Sequence, residues 1–235
     1  MDPSCKNCNK GAPEVTLKRC AKCSTTSYSY CSRDCQKADW KSHKKVCGKP
    51  SGSAEPSARG GPSSASSSLS PPKGLDRGVA KPFTRLDNGT WLHDRSETDV
   101  YRLLIDAYRL RVEDTYTVEG DIEADSIYGG APDGRRGLGR FLDLATRRRG
   151  LLPPWWNPEK RAACVRLGMD ASQWCDLRCA VEKSDIVDHY GDRFFPMQLR
   201  MFAEAVIGRG PGGMPGASMR QMMMAMEGGL VEAAM

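Results

Sequence analysis

Cys5-Lys6-Asn7-Cys8, Cys20-Ala21-Lys22-Cys23, Cys31-Ser32-Arg33-Asp34-Cys35 and His43-Lys44-Lys45-Val46-Cys47 place eight soft metal ligands in the first fifth of a 235-residue chain. Seven of its ten cysteines fall there. The spacing runs C-x2-C, C-x2-C, C-x3-C, H-x3-C. Zinc takes four thiolate or imidazole ligands in a tetrahedron, so four close pairs supply two sites. Ligand chemistry alone leaves the combination open. Sequential pairing joins the first pair with the second and the third with the fourth. Interleaved pairing joins the first with the third and the second with the fourth. The other use of clustered cysteines, a disulfide framework, is a device of secreted chains, and Met1-Asp2-Pro3-Ser4 does not begin an apolar signal run.

The intervening residues say more. Tyr30-Cys31-Ser32-Arg33-Asp34-Cys35-Gln36, followed by Trp40, His43 and Cys47, resembles the MYND zinc finger, with every ligand position and the Gln and Trp markers present. The resemblance covers residues 5–47 only. It implies interleaved binding of two structural Zn²⁺ ions, one held by Cys5, Cys8, Cys31 and Cys35, the other by Cys20, Cys23, His43 and Cys47. It also implies a partner class. MYND fingers bind short proline-containing peptides, often of the PxLxP kind, in a groove beside a hairpin. The Gln and Trp that line the groove correspond to Gln36 and Trp40. Ala21 departs from members that carry a hydroxyl there, which alters peptide choice. RING fingers interleave eight ligands too, but their histidine normally stands among the middle ligands and their last pair is two cysteines with two residues between.

The residues themselves predict a small zinc-stabilised α+β finger. Thr16 to Cys20 and Tyr28 to Cys31 are β-prone and pair as a hairpin. Ser32 caps a short helix beginning at Arg33, and Asp39 caps a second turn leading to Trp40 and His43. Positions four apart share a helix face, which brings Cys31 to Cys35 and His43 to Cys47. So few aliphatic residues cannot bury enough surface to fold alone, so zinc supplies the missing stability. With all eight ligands drawn from the protein, no coordination position is open to a substrate water, and the metal is structural.

Composition bounds the rest. Hydrophobic residues make up 39%, with 24 Gly and 15 Pro, so one large core is not expected. No run of about 18 apolar residues suggests a membrane span. The expected location is cytoplasmic and/or nuclear, where thiols stay reduced. Residues 1–50 hold eleven Lys/Arg against four Asp/Glu, while the whole chain carries +6. Seven ligand thiolates and two Zn²⁺ lower the finger to about +4. Lys37, Lys41, Lys44, Lys45 and Lys49 read as a solvated helix face, since no base-reading helix or stacking platform accompanies them, and nucleic acid is not the expected partner.

The domain plan is a finger over 1–49, a disordered Ser/Pro/Gly linker over 50–81, a small all-α domain over 82–208 and a disordered Gly/Met-rich tail over 209–235. Ser96 with Asp99 resembles a capping box and opens a helix over 97–113, with Val100, Leu103, Leu104, Ala107 and Tyr108 inward. Further helices are expected over 138–148, from Asn157-Pro158 to Gly168, through Trp174 to Val181, through Ile186 to Tyr190, and from Pro196 to Gly208. Trp155 and Trp156 are expected as core anchors. Cys164, Cys175, Cys179 and His189 raise the idea of a third metal site. Met219, Met222, Met223 and Met226 would line one face if the tail became helical.

No P-loop or dinucleotide fingerprint is present. Some MYND fingers sit within SET-domain lysine methyltransferases, but that domain's Asn-His motif and Gly-rich start are missing. The expected function is therefore a non-enzymatic, zinc-binding adaptor for protein–protein interaction. The layout of finger, Ser-rich linker and helical body is similar to small fungal MYND-finger proteins. The competing readings are a nucleic-acid-associated transcriptional regulator using the basic finger, and an enzyme of unseen type in the helical body. Salt separates the first from a peptide groove, because phosphate binding weakens steeply as salt rises.

Overall fold

The computed structural model describes residues 4–11, 15, 17–19, 29–43 and 69–229, which belong to two compact units, Met1–Ser64 and Ala65–Met235. In the first unit, β1 (Lys18–Arg19) and β2 (Ser29–Tyr30) pair antiparallel, Lys18 opposite Tyr30 and Arg19 opposite Ser29. Helix α1 (Arg33–His43) follows. Ser32 accepts the Cys35 backbone N–H at 3.2 Å, the cap its position signals. Contrary to expectation, Asp39 does not open a second turn, because α1 runs unbroken past it, and its carboxylate instead accepts the Tyr30 hydroxyl at 2.8 Å.

The second unit is all-helical among its described residues: α2 (Pro82–Asp87), α3 (Glu97–Thr117), α4 (Arg135–Arg147), α5 (Pro158–Gly168), α6 (Lys183–Tyr190), α7 (Phe195–Ile207) and α8 (Ala217–Glu227). Helix α3 is the centre, packed by α4, α5 and α7. Its N-cap is Ser96, which accepts the Asp99 N–H at 3.2 Å. The expected inward positions Val100, Leu103, Leu104, Ala107 and Tyr108 are buried, and so are Asp106, Arg109, Arg111, Glu113 and Asp114 on the other faces. Each buried aliphatic stabilises by about 1.5–3 kcal/mol. Charges are tolerated there because they are paired. Asp106 meets Arg109 at 2.9 Å, Arg111 meets Glu119 at 2.7 Å, and Asp114 meets Arg200 at 2.6 Å. Trp91, 1% exposed, packs its ring on Phe195 and Phe202 and donates to Gln198 at 3.3 Å. Trp155 and Trp156 are partly buried, each edge-on to Tyr101.

Asn157 caps α5 by accepting the Lys160 N–H at 3.0 Å, and Pro158 takes the first helical position. Gly208 ends α7 in the left-handed region (φ 93°), where a side chain would be strained. The stretch from Trp174 to Val181, expected as a helix, is a series of turns. Asp170 accepts from the Ser172 N–H and hydroxyl, and Asp176 from the Arg178 N–H, so short side chains capture the backbone that a helix would need.

Two further expectations differ from the structure. Residues 69–81, read as linker, pack with the helical unit: Ser70 and Val79 exchange backbone hydrogen bonds, and Asp99 accepts the N–H groups of Asp76 and Arg77. The rest of the predicted linker, 50–68, lies outside the described residues. Within the predicted tail, 217–227 is helical, and α8 packs against α2 with Met223 buried and Met219 and Met222 exposed. Glu227 holds this pairing by accepting the Phe83 N–H at 2.7 Å and the Thr84 N–H at 2.9 Å. Among the described residues, no helix is long and apolar enough to cross a membrane.

Candidate metal centre

The first ligand pair sits on a tight turn. The Cys5 N–H donates to the Lys10 carbonyl at 2.8 Å, the Asn9 N–H to the Cys5 carbonyl at 2.8 Å, and Ser4 bridges Gly11. Asn9 holds φ 59°, a conformation Asn tolerates better than most residues. The turn is tied to the hairpin by the Lys6 N–H, which donates to the Ser29 carbonyl at 2.8 Å. The next pair arrives from the opposite side: Cys31 directly follows β2, and Cys35 lies in the first turn of α1. These connections bring the thiols of Cys5, Cys8, Cys31 and Cys35 to within 4.8 Å of one another. The Cys8 and Cys31 sulfurs are 3.4 Å apart, those of Cys31 and Cys35 3.6 Å. Four sulfurs at the Zn–S distance of a tetrahedral ion stand about 3.8 Å apart, so the donor set fits Zn²⁺ in number, chemistry and spacing.

The surroundings suit charged sulfur. Cys5 is buried, which opposes ionisation, yet backbone hydrogen bonds at Cys8, Cys31 and Asn7 outweigh burial and lower its thiol to about 6. Cys35 is lowered by hydrogen bonds from Asn7, Ser32 and Cys31. Cys31, sharing its hydrogen bonds with Cys8 and Cys35, is pushed up to about 12. A ring of thiols cannot all ionise unaided, and a dication removes that conflict.

Among the described residues, Tyr30 and Cys5 form a small core, with Leu17, Cys31 and Cys35 packed against them. Tyr30 is 1% exposed and meets the His43 ring edge-on at 6.2 Å. His43 is buried, and burial holds its imidazole below the ordinary range against the pull of Asp39, which favours the neutral form that can ligate zinc. Cys20, Cys23 and Cys47, the other expected members of its site, lie outside the described residues. Gln36 is half-buried on α1, and Trp40 stands one turn further along, its side chain outside the described set. The Tyr30–Asp39 bond has only a local signal in the sequence, a tyrosine directly before a ligand cysteine and an acid one position before Trp40. Cys164, Cys175, Cys179 and His189 do not converge, and no second group with metal-ligand geometry occurs among the described residues. Cys164 and Cys175 are buried small hydrophobes whose thiols burial pushes up.

A cysteine cluster of this chemistry, joined by a two-stranded hairpin and a short helix, defines a zinc finger. Residues 5–47 match the MYND finger family, so this segment is a MYND-type zinc finger. Fingers of this family are zinc-binding, non-catalytic modules of protein–protein interaction. The match ends at Cys47 and does not extend into the helical unit. Comparison with curated proteins and with solved structures found no match to the chain.

Proposed function

We propose that the protein is a zinc-dependent adaptor whose finger reads a short proline-containing peptide of a partner protein. The observation that carries this reading is the convergence of Cys5, Cys8, Cys31 and Cys35 within a segment matching the MYND family. A closed set of four protein ligands leaves the metal no catalytic position, so its role is to hold the hairpin against α1. Cys20, Cys23, His43 and Cys47 would hold a second Zn²⁺. An extended peptide can add beside the hairpin while its prolines stack on an aromatic ring, and Gln36 and Trp40, one turn apart on α1, would line that groove. The helical unit would anchor the complex without enzymatic activity, in the cytoplasm or nucleus.

The test is an NMR titration of the zinc-loaded full chain with a PxLxP peptide, beside a Trp40→Ala control. Saturable shifts centred on Gln36, Trp40 and the hairpin, lost in the control, support peptide reading. Shifts absent at millimolar peptide would overturn it. Binding that instead collapses with salt and favours nucleic acid would support the regulator reading.

A further inference from the structure

The helical unit carries an open cleft of about 540 Å³, a volume within the range of small-molecule sites. Phe83, Phe194, Met223 and Met226 give it apolar walls. Four charged side chains also line it: Lys81, Asp192, Arg193 and Glu227. Both carboxylates are committed within the fold. Glu227 accepts two N–H groups at the start of α2 and the Thr84 hydroxyl at 2.8 Å. Asp192 accepts the Ser70 hydroxyl at 2.5 Å and the Phe194 N–H at 2.7 Å.

The two cations are not so committed. Lys81 and Arg193 are exposed, and neither forms an ion pair among the described residues; Arg193 only lies over the Phe194 ring at 4.6 Å. The charged groups free to make new contacts in the cleft are therefore the two cations, set beside apolar walls. A cationic ligand would find both carboxylates already occupied by donors. A neutral one would leave the two cations unused. Lys81 also holds left-handed backbone angles (φ 49°, ψ 57°), which are uncommon outside glycine and cluster at ligand clamps.

We propose that this cleft binds a small organic anion, its carboxylate met by Lys81 and Arg193 and its aliphatic body covered by Phe83, Phe194 and Met226. All of its lining residues belong to the helical unit, and binding there requires nothing of the finger's peptide chemistry.

The probe is decanoate, added to the zinc-loaded full chain carrying methyl-labelled methionine. The Met223 and Met226 resonances are assigned by Met→Leu substitution. Decanoate is expected to shift both saturably, and decanol and decylamine to bind about tenfold more weakly or worse, since two cation contacts are lost or reversed. The double variant Lys81→Gln/Arg193→Gln, at exposed positions, should keep the wild-type Tm, weaken decanoate by about tenfold and leave decanol unchanged. Equal affinity for the three head groups, or wild-type binding by the double variant, would overturn the proposal. So would the absence of shifts at millimolar decanoate. Shifts that appear only after removal of residues 230–235 would also overturn it, in favour of a cleft filled by the chain itself.

Discussion

Asp106→Ala tests how the central helix carries charge. Asp106 is fully buried, with one oxygen accepting Arg109 Nη1 at 2.9 Å and the other the Tyr190 hydroxyl at 2.5 Å. Arg109, its side chain 3% exposed, also donates to the Cys179 carbonyl at 3.2 Å and the Trp174 carbonyl at 3.2 Å, and lies over the Trp174 ring. Removing the carboxylate leaves a buried guanidinium without its counter-charge, which costs about 3–5 kcal/mol. The Tyr190 hydroxyl loses its partner as well, a loss of about 1–3 kcal/mol if it were independent. The two are coupled through one residue and do not add, and the carbonyl contacts of Arg109 survive, so the expected loss is about 4 kcal/mol. Urea unfolding of the zinc-loaded chain, followed by far-ultraviolet circular dichroism, reads this from the helical unit. With a slope of about 2 kcal/mol per molar, the midpoint should fall by about 2 M. Tyr190→Phe alone should cost about 1 kcal/mol and cost less in the Asp106→Ala background. A loss under about 1 kcal/mol for Asp106→Ala, or a Tyr190→Phe effect that is unchanged there, would refute the reasoning.

Other perturbations follow from the same structure. Glu227→Ala strips acceptors from the start of α2 and should cost about 1–2 kcal/mol, with hydrogen exchange rising in α2 and α8 while α3 stays protected. Unchanged α8 protection would mean that Met223 burial alone holds the helix. Gly137→Ala places a methyl carbon 2.1 Å from the Tyr108 hydroxyl, inside the α3–α4 contact, and should lower stability by about 1–3 kcal/mol; an unchanged Tm would contradict that packing. His189 is lowered from 6.5 to about 4, first by burial and then by Arg109, Lys73 and Arg102. Between those pH values the unfolded chain takes up a proton that the folded chain excludes. Its contribution is thus full above pH 6.5 and lost as pH falls toward 4. Partial exposure discounts the fall to about 1–2 kcal/mol, and His189→Phe should remove that part of the pH dependence.

The metal-binding pattern was legible because zinc demands particular residue types at close spacing, and Cys5, Cys8, Cys31 and Cys35 meet in space as one group. Helix ends marked by local chemistry were also legible: Ser96, Asn157 and Gly208 cap or stop helices through bonds to near neighbours. Features that depend on distant partners were not. The Ser- and Pro-containing approach at 69–81 has linker composition, yet Asp99 captures Asp76 and Arg77, and Asp192 captures Ser70 from 122 residues away. The Gly-rich run before Ala217 reads as a tail, while α8 is held by Glu227 on α2 across 143 and 144 residues of sequence. The periodic stripe on α3 marked one core face, but burial of its charged faces rests on Tyr190, Arg200 and Glu119, which no local pattern announces.

The most direct test of the central claim is cadmium NMR of the full chain with cadmium in place of zinc, recorded for wild type and for Cys31→Ser. Two resonances are expected, one typical of four sulfur ligands and one of three sulfurs and a nitrogen. With Cys5, Cys8, Cys31 and Cys35 on one ion, the substitution should abolish or shift the four-sulfur resonance and spare the one that includes His43. Loss of the sulfur–nitrogen resonance with the four-sulfur signal intact would mean that the pairs combine sequentially, and would contradict the account.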